Sequence, residues 1–229
     1  MQSPKLHEEI LIKNLYDLSH TLVAEWMEDY SYPWEVLPHI KKIILEIGAS
    51  LSTDEYEKIG EDIWIHRTAK IADSASITGP AIIGADTEVR HCAYIRGNVI
   101  AGEGCVMGNS CEFKNSILFD GVQTPHYNYV GDSVLGYKSH MGAGSITSNV
   151  KSDKKNILVH IDDSDIETGL RKFGAMIGDH VEIGCGSVLN PGCVIGRNTN
   201  VYPLSSVRGF VRRDSIYKKQ GEIVGRKET

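Results

Sequence analysis

At 229 residues, 41% hydrophobic and 24% charged, the chain can bury a sizeable core and has the composition of an ordinary folded protein, which excludes disorder throughout. A net charge of -6 offers none of the basic footprint that neutralises nucleic-acid phosphates, and five cysteines without a CxxC pair do not make a disulfide framework. Apolar runs such as that around Ile43 and Leu45 are broken by charge well short of the roughly 18 residues of a membrane span, and MQSPKLHEE has no signal-peptide pattern, so a cytoplasmic location is expected.

The first sixty residues carry helical periodicity. Ile10, Leu11, Leu15, Leu18, Leu22 and Trp26 fall at three- and four-residue intervals, which predicts an amphipathic helix from Leu6 to about Asp29. Pro33 interrupts it, and Val36, Leu37, Ile40, Ile43, Ile44 and Ile47 predict a second helix that Gly48 closes. Residues 1–60 are therefore expected to form an α-helical hairpin that caps the open end of the next domain or adds to a contact between subunits.

From Ile65 the period changes to six. Aliphatic residues recur at Ile65, Ile71, Ile77, Ile83, Val89 and Ile95, and again at Ile177, Ile183, Leu189, Ile195, Val201 and Val207. Between these runs the register slips but persists through Ile100, Val106, Leu135 and Met141. Six matches neither an α-helix nor a hairpin. One short strand per hexapeptide, with the aliphatic side chain inward and a tight turn eased by Gly, Asn or Asp, builds a triangular coil from three hexapeptides. Coils then stack as parallel strands about 4.8 Å apart, each burying the face its neighbour cannot bury alone. The expected fold is mainly β, a parallel β-helix over residues 61–213. The period stops between Val150 and Met176, where a β-hairpin excursion is expected, flanked by the basic KSDKK and LRKFG; such a loop is a usual place for a ligand-binding element. Residues 214–229 are left as a C-terminal tail.

Within this frame the stretch from YIRGNVIAGEG through HYNYVGDS to GAGSITSN, with LRKFGAMIGDHVEIG after it, resembles the acetyltransferase half of the bifunctional sugar-1-phosphate nucleotidylyltransferase/hexosamine-1-phosphate acetyltransferases. The resemblance covers about Ile65 to Arg213. It implies left-handed winding of the β-helix, a homotrimer with sites between adjacent prisms, and transfer of an acetyl group from acetyl-CoA to the amine of a hexosamine 1-phosphate, without a metal. His126 matches the family's base, and an imidazole with a pKa of about 6.5 is suited to take the proton an attacking amine must lose. Arg96 and Lys114 match cations for the sugar phosphate, Arg by forked hydrogen bonds and Lys as a point charge. Tyr129 and Asn149 match sugar-orienting residues, with Asn149 also placed with His126 in the catalytic pair, and Lys155 would close over the phosphate. Ala143, Cys185 and Thr199 match coenzyme-lining positions, and backbone N–H groups near Gly142 and Ala143 would meet the oxyanion.

Two departures from the family stand out. His140 replaces an Asn of the bacterial enzymes and Val150 a Tyr, so an acyltransferase with a different amine acceptor is an alternative. No GxGxRLxP-like signature of a nucleotidyltransferase occurs, so pyrophosphorylase activity is not expected even where kinship attaches the label "UDP-N-acetylglucosamine pyrophosphorylase-related". That loss also raises a second alternative, a non-catalytic trimeric module that binds sugar phosphate.

Overall fold

The computed structural model describes residues 7–219 and 222–225. The hexapeptides wind into a β-solenoid of about 9 turns with a triangular section. Face 1 stacks Ser76–Ile77, Tyr94–Ile95, Ile146–Thr147, Val188–Leu189 and Ser206–Val207. Face 3 stacks Lys70–Ile71, Glu88–Val89, Val106–Asn109, Gln123–His126, His140–Met141, Glu182–Ile183 and Asn200–Val201. Face 2 runs from Ile63–His66 through Ala81–Ile83 and Val99–Ala101 to Ala175–Ile177 and Cys193–Ile195. Two longer strands, Glu112–Leu118 and Tyr129–Leu135, bend around the edge from face 1 to face 2 and pair in parallel on both sides of it.

At most coils each edge is turned by a residue of left-handed φ. The edge from face 3 to face 1 carries Cys92, Ser110, Tyr127, Gly144, Gly186 and Leu204 at positive φ. The next edge carries Asn98, Asn115 and Asp132, and the third Asp86, Gly104, Gly121, Lys138, His180 and Asn198. Glycine, Asn and Asp enter this region at least cost, which is why they punctuate the hexapeptides. Inside, register stacks like on like: Val89 pairs with Met107, Ile95 with Phe113, and Met141 with Ile183 and then Val201. All of these are buried.

Face 2 differs from the others, because its outward column is apolar too. Trp64, Ile82, Ile100, Ile117, Val134, Met176 and Val194 follow one another in register and are all buried. What covers them is the N-terminal arm. Its helix Ile40–Ser50 buries Ile40, Ile43, Ile44 and Ile47, and lies against the strands of residues 81–83, 99–101 and 112–118. Trp34, in the 3-10 helix Pro33–His39, stacks on Phe173. Each aliphatic side chain so covered contributes roughly 1.5–3 kcal/mol. Lower on the same face, the antiparallel hairpin Leu158–Ile161 and Ser164–Glu167 takes over, packing on Cys193–Ile195 and Phe210–Val211. Arg212 ties the two covers together, bonding Asp162 at 2.7 Å and Glu9.

The arm departs from the expected hairpin of two helices. In place of one helix reaching to Asp29 stand short turns, Glu8–Ile10, Ile12–Leu15, Leu18–His20 and Ala24–Met27; Leu6 lies outside the described residues. The solenoid sets this course: the Asp17 N–H donates to Asp179 Oδ2 at 2.7 Å, the Asp179 N–H to the Leu15 carbonyl, and the Asp120 N–H to the His20 carbonyl. Gly48 does not end the second helix, which runs on to Ser50. A Cβ there would lie 2.5 Å from the Trp64 ring, so glycine permits the close approach. Nor do the described residues of the arm cap the open end. They strap the flank, and Ile71 and Ile77 on the first coil stay only partly buried. The segment after Asp214 continues the sheet as Ser215–Lys219 on Asn200–Val201 and returns through Glu222–Gly225.

Candidate functional site

Most of the residues singled out in the sequence fall on or beside the two edges that bound face 1. On the edge from face 3, His126, Ala143 and Cys185 stand directly above one another. The Gly144 N–H donates to the His126 carbonyl, that of Gly186 to Ala143, and that of Leu204 to Cys185. With coils about 4.8 Å apart, Cys185 lies roughly 10 Å along the edge from His126. His126 is exposed at the end of its strand, and its imidazole makes no hydrogen bond to another described residue. Cys185 is an exposed thiol, and Leu204 below it is 86% exposed. The Gly142 N–H is spent on the Ile183 carbonyl at 2.7 Å, while no described group accepts from that of Ala143. Of the two expected oxyanion donors, Ala143 alone is available.

Thr199 does not join this edge. It is fully buried where face 3 begins, and its hydroxyl donates to the carbonyls of Arg212 at 2.9 Å and Arg197 at 3.3 Å. On that coil the edge position belongs to Pro203 and Leu204. A one-residue alignment does not report which way a solenoid side chain points, and this is the signal the sequence lacked.

The second edge is as closed as the first is open. Arg96 and Lys114 hold equivalent places on neighbouring coils, as pairing of Tyr94 and Ile95 with Glu112 and Phe113 requires. Both cations are already matched. Arg96 Nη1 lies 2.6 Å from Glu112 Oε1, and Lys114 Nζ lies 3.0 and 3.2 Å from the Asp132 carboxylate oxygens. Asp132 is buried, and also accepts from Asn115 Nδ2 at 2.9 Å and from Asn149 Nδ2. The same Asn149 nitrogen lies 3.2 Å from the Tyr129 hydroxyl. Burial and the nearby Asp132 raise the Tyr129 phenol above its ordinary value, so it holds its proton. The Tyr129 ring leans over Gly131, where a Cβ would lie 2.5 Å from the hydroxyl.

The structure thus brings Tyr129, Asn149, Lys114 and Arg96 into one group, with His126 across the narrow face 1. It adds Glu112, Asn115 and Asp132, which the sequence reading passed over. The GDS of HYNYVGDS was their signal: a Gly–Asp pair at an edge, where Gly makes room and Asp supplies left-handed φ. His140 sits on face 3, its Nδ1 2.7 Å from Glu182 Oε2. Val150 is 47% exposed.

Lys155 lies at the root of the excursion. Phe173 closes that excursion by donating its N–H to the Asn149 carbonyl. Arg171 donates to the Lys154 carbonyl at 2.9 Å, so the two basic flanks, KSDKK and LRKFG, meet beside Asn149. Lys155 and Lys172 are exposed there. Among the described residues, no three His, Cys, Asp or Glu side chains are grouped to hold a metal, and no helix is long and apolar enough to cross a membrane.

A solenoid of hexapeptides with a polar site on its edges defines a class, and comparison with known proteins agrees. Residues 174–209 match the bacterial transferase hexapeptide model and residues 77–168 the GMPPB C-terminal domain. The chain carries the hexapeptide repeat of the bacterial transferases and matches the C-terminal half of GlmU-like bifunctional proteins. The bifunctional protein GlmU of Methanococcus maripaludis is 33% identical over 203 residues, 87% of this chain and 49% of the relative. A bifunctional sugar-1-phosphate nucleotidylyltransferase/acetyltransferase of Sulfurisphaera tokodaii is 33% identical over 196 residues, 84% of this chain and 49% of the relative. The chain spans about half the length of these curated relatives. Among solved structures, the N-acyltransferase AntD of Bacillus cereus, in complex with dTDP and coenzyme A, aligns with a TM-score of 0.38 at 17% identity, over 76% of this chain and 91% of that one.

Proposed function

We propose that this protein is an acetyl-CoA-dependent N-acetyltransferase whose acceptor is an amino sugar carrying phosphate, a hexosamine 1-phosphate such as glucosamine 1-phosphate. The observation that carries the reading is the pairing of an unengaged imidazole, His126, with a preordered polar group, Tyr129 and Asn149, across one narrow face. The relatives' names, which join sugar-1-phosphate and acetyltransferase chemistry, support it.

In this reading the acyl-CoA arm lies along the edge of Ala143 and Cys185, with Leu204 in the place assigned to Thr199, and delivers its thioester beside His126. The acceptor amine attacks the thioester carbonyl carbon while His126 takes the amine proton. The oxyanion faces the Ala143 N–H, which has no other described acceptor. Collapse breaks the C–S bond, and the imidazolium returns its proton to the thiolate. No step calls for a metal.

The phosphate is assigned to Lys155 and the basic root of the excursion. Arg96 and Lys114 remain second-rank candidates, because each is paired with a carboxylate. The active form is a homotrimer in this proposal. The arm and hairpin occupy face 2, which leaves faces 1 and 3, and the His126 edge between them, to meet a neighbour.

The test is thiol release from acetyl-CoA with glucosamine 1-phosphate and galactosamine 1-phosphate, for the wild type beside His126→Ala. Turnover lost in the variant is expected. Wild-type turnover with neither sugar, while acetyl-CoA still binds, would move the proposal to another amine; no binding of acetyl-CoA would defeat it in favour of a binding module.

A further inference from the structure

Asp132 is the residue on which three polar side chains of the second edge converge. Its carboxylate accepts from Lys114, Asn115 and Asn149, and Asn115 also donates to the Leu37 carbonyl of the arm at 3.3 Å. An ionised carboxylate only accepts, so the Asn149 atom facing it must be the amide nitrogen, however the amide is drawn. The second N–H of that amide is taken by the Tyr129 hydroxyl. Asn149 therefore has no donor left and shows only its carbonyl oxygen outward. Tyr129, having accepted, keeps its own proton to give.

We infer that Asp132 is a positioning residue that locks the Asn149 amide in one orientation and so requires the acceptor to bring a hydrogen-bond donor, an amine N–H, to Asn149 Oδ1. The consequence for the acceptor rests on the transferase reading; the locked amide does not. Lys114 belongs to the same device. Its charge offsets that of buried Asp132. A neutral hydroxyl could meet Oδ1 as well, but an attacking amine has a proton to spare after its base has taken one, and a carbonyl oxygen beside it orients the lone pair toward the thioester.

The experiment is a double-mutant cycle with acetyl-CoA and glucosamine 1-phosphate, using Asp132→Asn, Asn149→Ala and the pair. Because Asp132→Asn strands the Lys114 charge, the cycle is repeated with Lys114→Met to protect folding. Asp132→Asn is expected to lower kcat about 100-fold, the scale of a misplaced group, to leave KM for acetyl-CoA unchanged, and to cost nothing further once Asn149 is Ala. In parallel, the Asn149 side-chain amide is followed in 15N-labelled protein, assigned by its loss in Asn149→Ala. Its two protons should be protected from exchange in the wild type and exposed in Asp132→Asn. Additive losses in the cycle, or an Asn149 amide unchanged by Asp132→Asn, would overturn the inference. If the wild type turns over no amino-sugar phosphate, the transferase reading fails while the amide signal still decides for or against the lock.

Discussion

The two edges of face 1 are built from the same repeat and behave as opposites. Along one, His126, Ala143 and Cys185 are small or unengaged and largely open to solvent. Along the other, Lys114, Asn115, Asp132 and Asn149 are bonded to one another and partly buried, with the arm pinned to them through Leu37. A side chain that must change partners during a reaction belongs on the first kind of edge. Groups that must hold still belong on the second, where satisfied bonds in a low-dielectric setting fix one geometry. The repeat provides the columns, and the turn residues decide which column is loose.

This contrast can be broken one edge at a time. His126→Ala should cost about 10²–10⁴-fold in kcat, the range of a lost general base, with no change in the urea midpoint, since no described side chain depends on the ring. Deletions at the closed edge should cost stability. Phe173→Ala, which empties the packing under Trp34 at the foot of the excursion, is expected to lose about 3–5 kcal/mol in urea unfolding. Asn115→Ala removes one donor from buried Asp132 and one tie to the arm, and should lose about 1–3 kcal/mol. Cys185→Trp obstructs the open edge alone: KM for acetyl-CoA should rise, on the order of tenfold, with stability unchanged, a loss of about 1.4 kcal/mol in binding. Unchanged KM there would move the coenzyme off this edge.

The smallest effect concerns the interior. Burial pushes the Cys105 thiol from 9.0 up to about 12. Between those values the folded protein holds a proton that the unfolded chain has released, so stability should fall as pH rises from 9.0 toward 12. Urea midpoints across that window should fall less in Cys105→Ala. At neutral pH the same burial should leave Cys105 and Cys193 unreactive to thiol reagents, while exposed Cys92 and Cys185 react and acetyl-CoA protects Cys185.

Much of this was legible in one dimension. The solenoid was readable because a period of six places Ile83, Val89 and Ile95 on three successive faces, all pointing inward. His126, Tyr129 and Asn149 came from the resemblance, which matched them to family motifs within HYNYVGDS and GAGSITSN; the repeat alone did not single them out. The arm was not. Its helix-spaced apolar residues answer to face 2, where AII, VIA and AMI carry apolar side chains on both sides of the strand, and bonds to Asp179 and Asp120 break the expected first helix into turns. Thr199 lies inward and off the edge, which the alternation of inward and outward positions left unread.

The sequence by itself determined the coil, because a coil depends on residues spaced at intervals along the chain; the family and the candidate site were suggested by resemblance of its polar motifs. The handedness came with the kinship. Only the tertiary structure decided that Arg96 and Lys114 are already paired, that Asp132 organises the second edge, and that face 2 is covered. Those are matters of which side chains from distant coils share a few ångströms of low-dielectric space, and no periodicity records which partner a charge will find there.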